Sequence, residues 1–317
     1  MKKIVKIIQW LLFIVLTLMG VIYFFWMPSA QEPAYVLEKT WGGKGRAAGQ
    51  FTEPTGIAVK GSEVFVSDAR NHRIQVFDLD GTILRQFGLN DLERPMNLAI
   101  AKDELYVADY FADQIKVFSL QGDYRRSIGK PGTGPGEFSI PGGIAVAGNG
   151  DLYVPGFTTQ RVQQLRADGS FVRQWGITGE AGTFSEKLRY PTDVALSKDG
   201  TLFIADGYND RVLAIGPDGQ RLNQWGGPFA MNIFGPFNGW FATVTGISVG
   251  PGGHVFVADF YNDRVQKFTQ DGVFLNAFGI KSTGPTHTSI AVAEADDGSV
   301  FVADYANHQV QKWRPGK

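Results

Sequence analysis

Apolar and polar positions follow two different patterns along the chain. From Ile7 to Met27 no charge interrupts the apolar run, and Lys2, Lys3 and Lys6 precede it. At ~1.5 Å per residue, a helix over this stretch reaches about 30 Å, enough to cross the apolar core of a bilayer. After Ala34 the apolar positions come in short runs punctuated by glycine and aspartate. Ile57-Ala58-Val59 is continuous, as in a strand buried on both faces; Val64-Phe65-Val66 is aromatic and β-branched; Arg73 to Phe77 alternates; a Gly-containing turn then leads into Ile83 to Phe87.

This four-strand pattern recurs six times from Phe51 to the C-terminus, at offsets of about forty to fifty residues. The first copy is "FTEPTGIAVKGSEVFVSDARNHRIQVFDLDGTILRQFG", residues 51–88. Later copies contain "ELYVADYFADQIKVFSLQGDYRRSIG", "DLYVPGFTTQRVQQLRADGSFVRQWG", "TLFIADGYNDRVLAIGPDGQRLNQWG", "HVFVADFYNDRVQKFTQDGVFLNAFG" and "SVFVADYANHQVQKW". Four antiparallel strands per repeat predict an all-β, six-bladed β-propeller. The last copy stops after its third strand, whereas residues 35–42, "YVLEKTWG", read as an orphan fourth strand. Pairing the two closes the ring and removes two sheet edges.

The "VxDxxNxR[VI]Q" cores, with Asp68-Asn71-Arg73, Asp206-Asn209-Arg211 and Asp259-Asn262-Arg264, resemble the NHL-repeat family over about nine tenths of the chain. The resemblance implies the propeller fold and leaves the activity open, because similar propellers include enzymes, RNA-binding modules and protein scaffolds. The expected organisation is a cytoplasmic basic end at 1–6, a transmembrane signal-anchor helix at 7–27, a linker at 28–34 and the propeller at 35–317. A cleaved signal peptide is the competing reading. Its apolar core usually spans ~7–15 residues and its cleavage site is small-x-small, whereas Pro28 sits at the third position before a cut after Ala30. An uncleaved single-pass anchor in the inner (cytoplasmic) membrane is therefore expected. The lysines stay inside and the propeller lies in the periplasm or outside the cell.

Composition narrows the chemistry. With no cysteine, disulfides and thiolate metal sites are excluded. Without the three N-terminal lysines, 27 basic residues face 31 acidic ones, which disfavours nucleic acid as a partner. No "GxSxG", "HExxH" or phosphate-binding glycine loop follows the helix.

Asp68, Asp109, Asp206, Asp259 and Asp304 recur at one position, with Arg73, Arg211 and Arg264 five residues after three of them. Such repetition predicts a structural role, since each repeat solves the same packing problem. Function is sought where the copies differ. Pro155-Gly156 replaces Ala-Asp in the third copy, predicting a bent or short strand end. Asn97, Asp193 and Ser289 precede alternate innermost strands and should converge at the central channel. The loop 226–246 holds Phe229, Ile233, Phe234, Phe237, Trp240 and Phe241 and no charge, as befits a lid over the channel or a sticky surface. The ligand-binding rim is expected to comprise Asn97, Phe157, Asp193, Tyr208, Trp240, Tyr261, Ser289 and Tyr305.

His72, His287 and His308 are predicted to share one rim, and three imidazoles there could hold zinc with an open position. Peptide α-amidating lyases resemble this arrangement. The leading expectation is a binding scaffold for a protein, peptide or envelope ligand without a cofactor. The alternative is a metal-dependent lyase or hydrolase, for which bound zinc or calcium would be the indicator.

Overall fold

The computed structural model describes residues 2–184, 186–282 and 287–317. An α-helix covers Lys2–Trp26, so it starts earlier than the charge-free run and takes in all three lysines, which are good helix formers. Within it, Lys3–Val21 is long and apolar enough to cross a membrane and none of it is buried against the rest of the chain. The remainder is a six-bladed β-propeller of four-stranded antiparallel sheets.

Blade 1 runs outward from Pro54–Lys60 through Glu63–Asp68 and Arg73–Asp78 to Ile83–Phe87. The innermost strands of blades 2, 4, 5 and 6 are Pro95–Ala101, Pro191–Leu196, Val244–Val249 and Ser289–Glu294. Blade 6 takes its outer strand from the N-terminal side of the ring. Val36–Gly42 pairs antiparallel with Gln309–Arg314, from Val36 opposite Arg314 to Gly42 opposite Gln309. Tyr35 falls just outside this strand and instead stacks on Phe278, 4.3 Å between ring centroids. The ring thus closes as the repeat count requires.

Blade 3 departs from the pattern, although not where the proline stands. Pro155 still pairs with Val162 and Gly156 with Arg161. The loss falls on the innermost strand, which shrinks to Ala145–Val146. Proline has no N–H to offer a ladder, and here the ladder fails on the channel side.

Six apolar clusters fill the six gaps between neighbouring blades. Phe51, Ile57, Val66 and Phe77 of the first blade, for example, pack against Ala291, Phe301 and Val310 of the sixth. Strand order also defines two faces. The hairpin turns between first and second and between third and fourth strands lie on the lower face. The second-to-third turns and the connections from blade to blade lie on the upper face.

At the upper end of five of the six second strands the repeated aspartate is sealed from water, with Asp68, Asp109, Asp206, Asp259 and Asp304 all 0% exposed. Asp206 accepts hydrogen bonds from Arg189 N (2.6 Å), Asn209 Nδ2 (2.7 Å) and Arg211 Nε (2.8 Å). Arg211 in turn donates to the carbonyls of Thr183 and Lys187 in the connecting loop. One carboxylate therefore binds a turn, a strand and the chain entering its blade. Replacing it with alanine leaves the Arg211 charge buried without a counter-charge, a change that costs about 3–5 kcal/mol. Asp206→Ala is expected to lower unfolding free energy by that amount in urea denaturation, and Asp206→Ala/Arg211→Met to recover a large part of it.

Candidate functional site

The central channel is interrupted by a polar bridge. Asn97 of blade 2 reaches across to Asp193 of blade 4, Nδ2 to Oδ2 at 2.5 Å, and Ile247 N of blade 5 donates to the same oxygen at 2.9 Å. Asn97 Oδ1 accepts Leu98 N at 3.0 Å. Gly143 of blade 3 makes room for this bridge, because a β-carbon there would stand 1.9 Å from Asp193 Oδ1. Asp193 Oδ1 is buried with no hydrogen-bond partner among the described residues. Burial pushes the Asp193 carboxyl up to about 7, against the bonds from Ile247, Val194 and Asn97 that favour the anion. The side chain of Ser289, the third residue expected here, lies outside the described part of the structure.

Asn97 borders a cavity on either side of the bridge. Toward the lower face, a volume of about 240 Å³ is lined by innermost-strand residues such as Val59, Val146 and Glu294. Toward the upper face, one of about 210 Å³ is walled by Met96, Tyr110, Phe157, Tyr208, Phe260 and Tyr261 with several threonines. Its aromatic wall is built from separate groups of packed rings. Tyr190 lies 4.8 Å from Phe157 and 5.1 Å from Tyr208, ring centroid to centroid, and Phe260 lies 5.3 Å from Tyr261. Burial raises the Tyr208 hydroxyl above the usual tyrosine range, so the ring is neutral.

Of the expected rim residues, Asn97, Phe157, Tyr208 and Tyr261 line this cavity, and Asp193 forms its floor through Asn97. Tyr305 stands behind Phe260, 6.4 Å between centroids, and does not line it. Trp240 does not line it either. Its ring packs edge-on against Phe237 at 5.0 Å, under Gly235, and its carbonyl accepts from Arg264 and Gln266. Of the loop 226–246, Thr243 and Thr245 line the cavity and none of its large apolar side chains does. Tyr110, Phe260 and Tyr190 were not expected. The first two could have been read from the repeats, since an aromatic residue follows the blade aspartate or its equivalent within two positions in five of the six copies.

The histidines do not form a triad. Among the described residues no three histidine, aspartate or glutamate side chains are grouped to hold a metal ion. His72 and His308 occupy the residue before each third strand, where the backbone is left-handed in every blade: His72, Asp113, Gln160, Asp210, Asp263 and His308 all have φ between 51° and 58°. Histidine and aspartate are among the residues that tolerate this region best. In five blades the side chain there accepts a backbone N–H of the next blade's entry. The donors are Ile140, Tyr190, Thr243 and Thr288 to Asp113, Gln160, Asp210 and Asp263, and Glu53 to His308 Nδ1 at 3.2 Å. His72 Nδ1 meets the Glu93 carbonyl instead. His287 belongs to a third boundary, 3.1 Å from Asp263. The three rings are thus taken up at three different blade boundaries.

Asp193 predicts a pH dependence. A carboxyl whose folded pKa lies above its unfolded value near 3.9 stabilises the protein fully below that value, and loses the contribution as pH rises toward 7. A shift of this size corresponds to stability on the order of 4 kcal/mol. Asp259, raised to about 6 mainly by burial, adds a slope of the same sign. Chemical denaturation from pH 4 to 8 is therefore expected to show a steeper fall for the wild type than for Asp193→Asn.

Comparison with known proteins agrees with this architecture. A family model described as a 6-bladed beta-propeller matches residues 88–176, and an NHL repeat model matches 51–77 and 241–268. A 41-residue stretch is 54% identical to Protein brain tumor of Drosophila melanogaster, covering 13% of this chain and 4% of that protein. Among solved structures, a protein of unknown function from Bacteroides thetaiotaomicron superposes with a TM-score of 0.68 at 15% identity, over 89% of this chain and 76% of that one. A streptogramin B lyase superposes at 0.61 and 17% identity, over 89% and 98%. At such identities these likenesses concern the fold alone. With its repeated aspartate-centred cores and six closed blades, the chain is a six-bladed β-propeller that carries NHL repeats at 51–77 and 241–268.

Proposed function

We propose that the chain is a membrane-anchored, extracytoplasmic propeller that binds a protein, peptide or envelope component through the upper-face cavity. The carrying observation is the aromatic enclosure above the Asn97–Asp193 bridge, open to the upper face and built from blades 2 to 5. Its volume of about 210 Å³ falls below the ~300–1,000 Å³ of a typical small-molecule pocket. It suits one apolar or aromatic group projecting from a larger ligand. Buried aromatic anchors of this kind carry most of the affinity in many interfaces. The Lys2–Trp26 helix supports the anchor reading, with its lysines held inside and the propeller outside, on the cytoplasmic membrane.

A propeller lyase or hydrolase is the alternative. None of the residues lining the cavity is a histidine, and His72, His287 and His308 are engaged at blade boundaries, so binding is the better reading.

The test is titration of the full-length chain in lipid nanodiscs with short peptides bearing a single Phe, Trp or Leu. Saturable binding is expected, weakened at least about tenfold, or ~1.4 kcal/mol, by Phe157→Ala and by Tyr208→Ala. Binding unaffected by either substitution would place the ligand site elsewhere.

A further inference from the structure

Exposed apolar side chains are distributed unequally over the propeller. Those on or beside the outermost strands, such as Leu84, Val172 and Leu222, stand singly around the circumference, apart from the adjacent Val36 and Leu37. The others all belong to upper-face loops, and four fall in one of them: Phe229 (69% exposed), Met231 (43%), Ile233 (44%) and Phe234 (73%). Phe184 and Phe111 are on the same face. The lower-face turns carry instead charged and glycine tips such as Lys102-Asp103 and Asp80-Gly81.

The loop holding the four side chains is not slack. Ala230 is buried and its N–H bonds to Gly227 O at 2.9 Å. Asn232, with its amide turned to satisfy both ends, donates to Tyr208 O and Asp210 Oδ2 at 2.9 and 3.0 Å. Further along, Phe241 is fully buried in the gap between blades 4 and 5. The backbone is pinned from below, so the large side chains on either side of Ala230 and Asn232 face outward.

The chain leaving the apolar helix arrives at this same place. Asn238 Nδ2 donates to Pro28 O at 3.0 Å. The linker then descends the outer edge of blade 5, where Gln31 N donates to Leu275 O at 2.8 Å, Glu32 pairs with Lys267 at 2.8 Å and Asn276 donates to Pro33 O at 2.7 Å. These ties hold the helix exit beside the loop 226–243 rather than beside the polar lower turns. The linker therefore selects the face that meets whatever the helix enters.

We propose that residues 229–234 form a second membrane contact, inserting into the headgroup and acyl boundary of the bilayer that the helix crosses, so that the upper face and its aromatic cavity are turned toward the lipid surface. This rests on the anchor reading given above. Aromatic and aliphatic side chains on a pinned loop bury their surface at such an interface as amphipathic segments do. With the upper face down on the membrane, the cavity is presented to groups at the bilayer surface, such as an acyl chain or the membrane-proximal part of a lipid-linked or membrane protein.

The chain has no cysteine of its own, so single-cysteine variants report on single sites. Full-length Ile233→Cys, Phe234→Cys and the lower-face control Asp103→Cys are labelled with an environment-sensitive fluorophore, reconstituted in phosphatidylcholine vesicles and floated on a density gradient. Phosphatidylcholine carrying a nitroxide on its acyl chain is expected to quench the labels at 233 and 234 at least threefold more than the label at 103. If the chain floats with the vesicles but quenching is equal at the three sites, the second contact is refuted while the anchor stands, and the loop becomes a surface for a protein partner. If the chain does not float, both are refuted.

Discussion

The ring holds because a buried carboxylate at the end of most second strands ties together three pieces of chain that would otherwise meet only through apolar contact. The cost of stripping water from Asp68, Asp206 or Asp259 is offset in part by a backbone N–H from the entering loop, an asparagine from the turn and an arginine from the next strand. Five residues of spacing bring Arg211 opposite Asp206 across a hairpin, so the pair forms within one repeat. The left-handed residue just before that arginine then carries the tie to the next blade. Local pairing thus builds the blade, and one more residue builds the ring.

Blade 3 shows what happens without the carboxylate. Gly156 stands where an aspartate would, and Thr159 Oγ1 fills the space, 2.1 Å from where a β-carbon would lie. Arg161 remains buried, still bonded to the Gly134 and Glu137 carbonyls, but its Nε has no partner among the described residues. Burial accordingly pulls the Arg161 guanidinium below its usual range. The exception sits beside Phe157, on the wall of the upper cavity. The departure from the repeat and the candidate site coincide there.

Two asymmetries give a nearly six-fold ring a direction. The polar bridge between Asn97 and Asp193 separates a lower channel lined by the innermost strands and Glu294 from an aromatic upper cavity. The linker after the helix, bonded to Asn238, joins the chain's most apolar element to the upper face. The aromatic cavity, the exposed apolar loop and the membrane-type helix therefore converge on one side of the molecule.

Much of this was legible from residues close together in sequence. Strand period, Gly-containing turns, the six copies and the missing fourth strand after "SVFVADYANHQVQKW" determined the blade number and the closure by residues 35–42, because each depends on hydrogen bonding between adjacent or complementary segments. The convergence of Asn97 and Asp193 was anticipated from their equivalent positions, yet their direct bond spans 96 residues and depends on how closely blades 2 and 4 approach past Gly143. The histidines misled because their spelling is shared with a turn position whose backbone favours histidine and aspartate alike, and only the placement of neighbouring blades reveals which group each ring meets. Trp240 misled for a similar reason: an aromatic-rich loop can fold onto itself or onto a channel with the same composition, and packing alone decides. The sequence by itself determined the repeat, the ring and the apolar helix, all set by local periodicity. Tertiary structure decided which loop residues enclose the cavity and which face the helix joins, since both depend on distances between segments that no local pattern encodes.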